Sequence, residues 1–119
     1  MVTVVVHTTL PVETIDVSEF VEDLGRAATT AFALPPQMRS IYLNAIPVER
    51  GTVKEGYHAT FLLFTAPGKN IDHRRAMVKA LNEVVQSRPW GKKVQVVVII
   101  KEHEADFVGV NGVLRADAT

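Results

Sequence analysis

The sequence contains no cysteine, which excludes disulfides, thiolate metal sites and cysteine nucleophiles and favours a reducing compartment. It has no excess of either charge, because 13 Lys and Arg residues are balanced by 13 Asp and Glu residues, so it lacks the basic field that attracts nucleic acid. The longest apolar run, residues 94–100, contains Gln95 and is far shorter than the roughly 18 residues that span a bilayer. No basic stretch begins the chain, as a signal peptide would require. These absences predict a cytoplasmic protein without a nucleic-acid or membrane partner.

The residues that are present indicate a folded globular protein. Hydrophobic residues make up 47% of the chain and charged residues 22%, far from the composition of disordered chains. A length of 119 residues is that of one domain. We therefore predict a single domain over residues 1–119.

The first half of the chain reads as strand, helix, strand. Val and Thr dominate residues 2–10, which predicts a strand. Asp16 and Glu19 have the spacing of a capping box, so we expect a helix to begin there. Apolar residues then recur at steps of three and four until Pro35 and Pro36 end the helix.

The second half repeats this order. We predict strands over residues 40–48, 57–65 and 93–101, and a second helix from the N-cap Asn70 to before Pro89. The apolar run within 57–65 predicts a strand covered on both faces for part of its length.

Two copies of a β-α-β unit follow from these spacings, since Ser18 and Ile71 begin the predicted helices 53 residues apart. Side by side they predict an α/β (α+β) fold: a four-stranded sheet with both helices on one face. The other face would be apolar and uncovered, which predicts self-association. After the fourth strand we expect a one-turn helix around Asp106 and a brief terminal strand.

Several local patterns resemble the tautomerase superfamily. Residues 2–11 match its first strand and the proline that follows, and residues 35–37 and 108–111 resemble positions in its macrophage migration inhibitory factor branch. Residues 105–107 resemble a turn of its malonate semialdehyde decarboxylase branch. The resemblance implies a homotrimer built from β-α-β pairs.

The chain departs from that family at its N-terminus. Family members use an N-terminal proline, exposed by removal of the initiator methionine, whose secondary amine moves a proton. This chain has Val2 at that position, and because Val hinders removal of the methionine we expect Met1 to be retained. The catalytic position implied by the resemblance is therefore the N-terminal amine at Met1 or Val2. A primary amine can act as a base or condense with a carbonyl group.

The resemblance implies three substrate-binding residues. Lys69, just before the Asn70 cap, stands where relatives carry an arginine for the substrate carboxylate; the alternative is a solvated turn lysine. Phe107 stands where relatives place an aromatic wall, or it plugs a small terminal cluster. Arg39 lies beside the position of the decarboxylase's second acid, which is Met38 here, and is otherwise a surface charge.

The histidines do not indicate a metal site. His7, His58, His73 and His103 lack the paired spacing of metal ligands, and residues 101–104 read as a solvated strand end. We expect no metal and no cofactor.

We predict a diverged protein that acts on or binds a small 2-oxo, enol or unsaturated carboxylic acid, with weak or altered activity because proline is missing. The alternative is a non-catalytic trimeric ligand-binding or interaction protein. A third interpretation, a ferredoxin-like module with the same order of elements, would predict a dimer.

Overall fold

The computed structural model describes residues 1–118 and contains one four-stranded sheet, two α-helices and a C-terminal hairpin. The strands of the sheet are β1 (Val2–Thr8), β2 (Arg39–Ala45), β3 (Tyr57–Thr65) and β4 (Val94–Glu102), and the helices are α1 (Val17–Ala31) and α2 (Ile71–Gln86). The hairpin consists of β5 (Gly109–Val110) and β6 (Val113–Leu114).

The sheet has the order β2-β1-β3-β4 and confirms the repeated β-α-β architecture. β1 is parallel to β2, and β3 is parallel to β4, so each half of the chain forms a crossover unit around its helix. The halves meet through the antiparallel pairing of β1 with β3. Among residues 1–118 there is no helix whose length and hydrophobicity would let it cross a membrane.

Both helix starts are fixed by the predicted caps. The Asp16 side chain accepts a hydrogen bond from the Glu19 amide at 3.1 Å, and the Asn70 side chain accepts one from the His73 amide at 2.8 Å. Each bond satisfies a backbone donor that the first helical turn leaves free.

The core lies between the helices and one face of the sheet. Alternate residues of β1 and β3 are buried there against the apolar stripes of both helices, as the strand period requires. The fully buried large side chains are Val2, Val4, Val6, Leu24, Phe61, Leu63, Met77, Leu81 and Val85.

Two predicted strands were too long. β1 ends at Thr8, not at residue 10, because the Leu10 amide donates to the Thr8 hydroxyl at 3.1 Å instead of continuing the ladder. β2 ends at Ala45, and Val48–Arg50 forms a short 3₁₀ turn, because Pro47 has no amide hydrogen for strand pairing.

In the single chain β3 is covered on one face only. Its residues alternate between buried and half-buried, because both helices pack on the same side of the sheet. A row of apolar residues in register crosses the other side: Tyr42, Val5, Leu62 and Ile99.

A charged network joins the end of α2 to α1. Arg88 donates to Asp23 and lies 5.3 Å from the centre of the Phe20 ring, which packs edge-on against Trp90. The hydrogen bond from Arg88, together with the charges of Arg88 and Arg26, lowers the pKa of the Asp23 carboxyl below its ordinary value.

We predict that Asp23→Asn lowers the free energy of unfolding by about 1–2 kcal/mol at pH 7, since it weakens charge-assisted hydrogen bonds at a partly buried site. A carboxyl whose pKa is lowered by folding stabilises the protein above its unfolded pKa and loses this effect as pH falls through the folded value. The difference from wild type should therefore shrink below about pH 4. Urea unfolding at several pH values measures it.

The matched control is Asp72→Asn, which removes an exposed ion pair with Arg75 within α2. Such pairs contribute little, so we expect a change below about 0.5 kcal/mol. Equal effects of the two variants would contradict a structural role for the Asp23 network.

Candidate functional site

A cleft of about 300 Å³ lies where β1 begins and where β3 and β4 end. The C-terminal hairpin and the residues after it form one wall. The lining consists of Met1, Thr3, Met38, Phe64, Thr65, Ala66, His103, Val108, Val110, Val113, Arg115 and Ala118. Its size is at the lower end of the range for small-molecule pockets, and most of its side chains are apolar.

The wall depends on a tight turn at Asn111 and Gly112. Both residues have a positive φ, 53° and 85°, as the central positions of a type I′ hairpin turn require. The hairpin returns the chain so that the Arg115 amide donates to the Val108 carbonyl at 2.7 Å. This return brings Arg115 to the cleft.

The sheet places the N-terminal amine in the same cleft. The Val2 amide donates to the Met38 carbonyl at 3.0 Å, and the Val2 side chain is fully buried in the core. Met1, which is 49% exposed, is thus the first residue beyond the sheet and lines the cleft.

The surroundings favour the neutral form of this amine. Burial, the charge of Arg115 and the charge of Lys69, in that order, lower the pKa of the Met1 α-amine below its ordinary value. Within residues 1–118, no acidic side chain lines the cleft, whereas Arg115 contributes a cationic group to the lining. The described lining therefore favours an anionic ligand.

Two further polar residues line the cleft. The His103 ring stacks on Phe64 with 5.5 Å between ring centres, and the His103 amide donates to the Thr65 carbonyl at 2.8 Å. The Thr65 side chain is buried, and its hydroxyl has no hydrogen-bond partner among residues 1–118. The lining residues thus carry an amine, a guanidinium and an imidazole, whereas the Thr65 hydroxyl is buried.

The structure does not bring all five residues that the sequence suggested together at the cleft. Met1 lines the cleft, and Val2 fixes where Met1 leaves the sheet. Lys69 is half-buried behind the lining: its amide donates to Glu102, and its ammonium group lies 5.4 Å from the centre of the Phe32 ring. It contributes to the cleft through its charge.

Arg39 and Phe107 do not line the cleft of the single chain. The Arg39 side chain forms an ion pair with Glu22 and packs against α1 at Gly25. A Cβ atom at position 25 would lie 2.6 Å from the Arg39 Nε atom. Phe107 is 76% exposed in the turn before the hairpin.

Sequence reasoning missed Arg115, Thr65 and the position of His103. We interpreted residues 101–104 as a solvated strand end, but His103 turns into the cleft at the end of β4. The Asn111-Gly112 turn could have indicated that the tail folds back. It could not have indicated which residue the tail would bring to the N-terminus.

The described part of the chain contains no cluster of three or more histidine, aspartate or glutamate side chains that could hold a metal ion.

We predict that the Met1 amine titrates below the value near 8 of an ordinary α-amine and that Arg115→Ala moves its midpoint to higher pH. The direction follows because a nearby cation disfavours protonation, and removing it restores the charged form. The pH dependence of dinitrophenylation at residue 1, read by peptide mass spectrometry, measures the midpoint.

Arg50→Ala is the matched control, because Arg50 lies in the exposed 3₁₀ turn between β2 and β3 and lines none of the cleft. Equal midpoints in Arg115→Ala and wild type would show that the guanidinium does not act on the amine.

Known structures share this architecture. A fused 4-OT trimer superposes with a TM-score of 0.75 over 96% of this chain and 96% of its own, at 18% identity. A malonate semialdehyde decarboxylase inhibited by 3-bromopropiolate superposes with a TM-score of 0.71 over 90% of this chain and 87% of its own, at 14% identity. For macrophage migration inhibitory factor of Toxoplasma gondii the TM-score is 0.70, the coverages are 92% and 96%, and the identity is 9%.

No protein-family model matches the sequence, and no curated protein matches it either. At the identities of the solved structures the likeness concerns the fold. The resemblance that the sequence suggested is confirmed at that level: the chain has the fold of the tautomerase superfamily.

Proposed function

We propose that this protein is a cytoplasmic, diverged tautomerase that binds a small 2-oxo or enolic carboxylic acid in the cleft and interconverts its enol and keto forms. One observation carries the proposal. Met1 and Arg115 line the same mostly apolar cleft, and burial and the charge of Arg115 lower the pKa of the Met1 α-amine. This pairing provides a base that loses its proton more readily than an ordinary α-amine and a partner for the carboxylate of its substrate.

The proposed step is a proton transfer in two parts. The neutral Met1 amine takes the proton of the enol hydroxyl, the oxygen forms a carbonyl as the carbon–carbon double bond opens, and the resulting ammonium gives its proton to the neighbouring carbon. No atom is gained or lost. Because Met1 carries a primary amine on a flexible chain end instead of a proline ring, we expect the step to be slow.

Arg115 is our first candidate for the substrate carboxylate, since its planar guanidinium can donate two parallel hydrogen bonds. Lys69 adds a second positive charge behind the lining and remains the candidate that the family pattern suggested. Phe107 would cover a substrate only in the cleft of a neighbouring copy, because in its own chain it points to solvent. Arg39 is the weakest candidate, since it is engaged by Glu22.

A non-catalytic, ligand-binding trimer is the second candidate function. It is favoured by the position of Val2, whose side chain is locked in the core while the flexible Met1 side chain lines the cleft. Such a cleft could bind a carboxylic acid without holding the amine in a reactive geometry.

We further propose that the protein is a homotrimer that covers the uncovered face of the sheet. The apolar row of Tyr42, Val5, Leu62 and Ile99 is continuous across all four strands. A patch of this kind is unusual for a monomer in water. The fused 4-OT structures with the same fold are trimers.

We predict that Ile99→Glu converts the trimer to monomers, because it places a charge at the β4 end of this row. Ile99 is 51% exposed in the single chain, so the fold itself should survive. Sedimentation equilibrium measures the mass. Val53→Glu is the control, since Val53 is 95% exposed in the loop between β2 and β3; a wild-type dimer, or an Ile99→Glu trimer, would contradict the proposed assembly.

We predict that wild-type protein, its N-terminus verified by intact mass, accelerates the decay of enolic phenylpyruvate weakly but measurably. Arg115→Ala should lower kcat/KM about tenfold or more, as expected for a charge-assisted hydrogen bond, and Lys69→Ala should lower it less. Ultraviolet absorbance follows the enol, and Arg50→Ala should match wild type. If the acid binds but no rate exceeds buffer, the ligand-binding function replaces the catalytic one.

A further inference from the structure

The proposed step leaves one ionisable group of the cleft without a role. It uses the Met1 amine and the Arg115 guanidinium, but not the His103 imidazole, which belongs to the same lining. The His103 residue is half-buried, and its ring is stacked on Phe64 at 5.5 Å between ring centres. Its nitrogens are not among the buried polar atoms that lack a partner. With no hydrogen bond to residues 1–118, they are open to a ligand.

Strand register places this imidazole across the cleft from the amine. The pairings of β1 with β3 and of β3 with β4, continued by one residue, align Met1, Ala66 and His103 in one row. The hydrogen bond from the His103 amide to the Thr65 carbonyl shows that β4 keeps this alignment beyond its last paired residue. All three residues of the row line the cleft, as does Phe64, on which the His103 ring lies.

The small side chain of Ala66 leaves room between the two polar groups. Adjacent strands are about 4.8 Å apart, so the backbones of Met1 and His103 are separated by about 10 Å. A short 2-oxo acid fits over Ala66 in a gap of this size. Such a ligand would have the amine on one side and the imidazole on the other.

We propose that the His103 imidazole donates a hydrogen bond to the 2-oxygen of the substrate and stabilises the negative charge that this oxygen gains when Met1 removes the enol proton. The inference rests on the proposed function, because it adds a catalytic residue to the same step. His103 keeps its proton throughout, so the balance of the step is unchanged.

The positions of the other polar groups favour the 2-oxygen as the partner of His103. Arg115 already provides a cation for the carboxylate, whereas the 2-oxygen must lie beside the Met1 amine that takes its proton. A neutral imidazole has one N–H donor. A fixed donor beside an oxygen that becomes negative stabilises the transition state more than the bound substrate, and losing one costs about 10²- to 10³-fold in kcat.

The test separates the donor from the ring. His103→Phe retains an aromatic ring that can stack on Phe64 but removes the donor, whereas His103→Gln retains a donor. His73→Gln is the matched control, because His73 is a half-buried histidine of α2 that does not line the cleft. Ultraviolet absorbance gives kcat and KM for enolic phenylpyruvate. Titration calorimetry gives the affinity for 3-phenylpropionate, the corresponding acid without the 2-oxygen.

We expect His103→Phe to lower kcat about tenfold or more and His103→Gln to lower it less. His73→Gln should match wild type, and every variant should bind 3-phenylpropionate as wild type does. An unchanged kcat in His103→Phe would overturn the assignment. A loss of affinity for 3-phenylpropionate equal to the loss of kcat would also overturn it, because the imidazole would then act on the carboxylate or only shape the cleft.

Nitrogen-15 NMR of the imidazole gives a readout that does not depend on turnover. The signals of His103 are those that His103→Gln removes. Phenylpyruvate should shift them more than 3-phenylpropionate does, because it alone carries the 2-oxygen. Equal shifts with the two acids would contradict a bond to that oxygen.

Ala66→Val tests whether the ligand lies between Met1 and His103. The larger side chain would occupy the space over Ala66, so both acids should bind about tenfold more weakly or worse. Unchanged affinities would place the ligand elsewhere in the cleft and would overturn the assignment.

The two levels of inference fail in different ways. If wild type does not accelerate the decay of the enol, the proposed function fails and the His103 assignment fails with it. If the rate depends on Arg115 but His103→Phe has the kcat of wild type, the proposed function stands and only the His103 assignment fails.

Discussion

The antiparallel pairing of β1 with β3 determines where both helices and the cleft lie. Each half of the chain is a crossover unit, and this pairing is the strand contact that joins them into one sheet. It sets Val4 beside Leu63 and Val6 beside Phe61 in the centre of the core. A two-stranded sheet alone is only marginally stable, so the joined sheet gives both helices a surface on which to pack.

The same pairing determines the chemistry of the cleft. Because the register fixes Val2 opposite Thr65, the first residue of the chain must leave the sheet beside the end of β3. Partial burial and the positive charges of Arg115 and Lys69 therefore both disfavour protonation of the amine. The electrostatic character of the site is a consequence of strand register more than of any single side chain.

Much of the fold was predictable because its signals are local. The caps at Asp16 and Asn70 and the alternation of apolar residues each act over a few neighbouring positions. The sequence also shows that valine, not proline, follows Met1. The errors at strand ends arose where a side-chain hydroxyl or a proline competes with the ladder, as at Thr8 and Pro47.

The site was less predictable because its members meet only through tertiary structure. A hairpin of four paired residues brings Arg115 towards the N-terminus. The residue spacing in the tail does not indicate this position. Whether a threonine hydroxyl is bonded, as in Thr29, or free, as in Thr65, depends on neighbours that are distant in sequence. Lys69 was suggested by a family pattern, and no local signal indicated that its ammonium group would lie 5.4 Å from the centre of the Phe32 ring.

The cleft is bounded by residues close to both ends of the described chain, since Met1 and Ala118 both line it. An affinity tag fused before Met1 would run through the binding site and convert the amine to an amide, and a fusion just beyond Ala118 would begin at the cleft wall. The loop between β2 and β3, where Val53 projects into solvent at the opposite end of the sheet, is a better place for an inserted tag. Preparations that differ only in their tags therefore differ in the charge and the lining of this cleft.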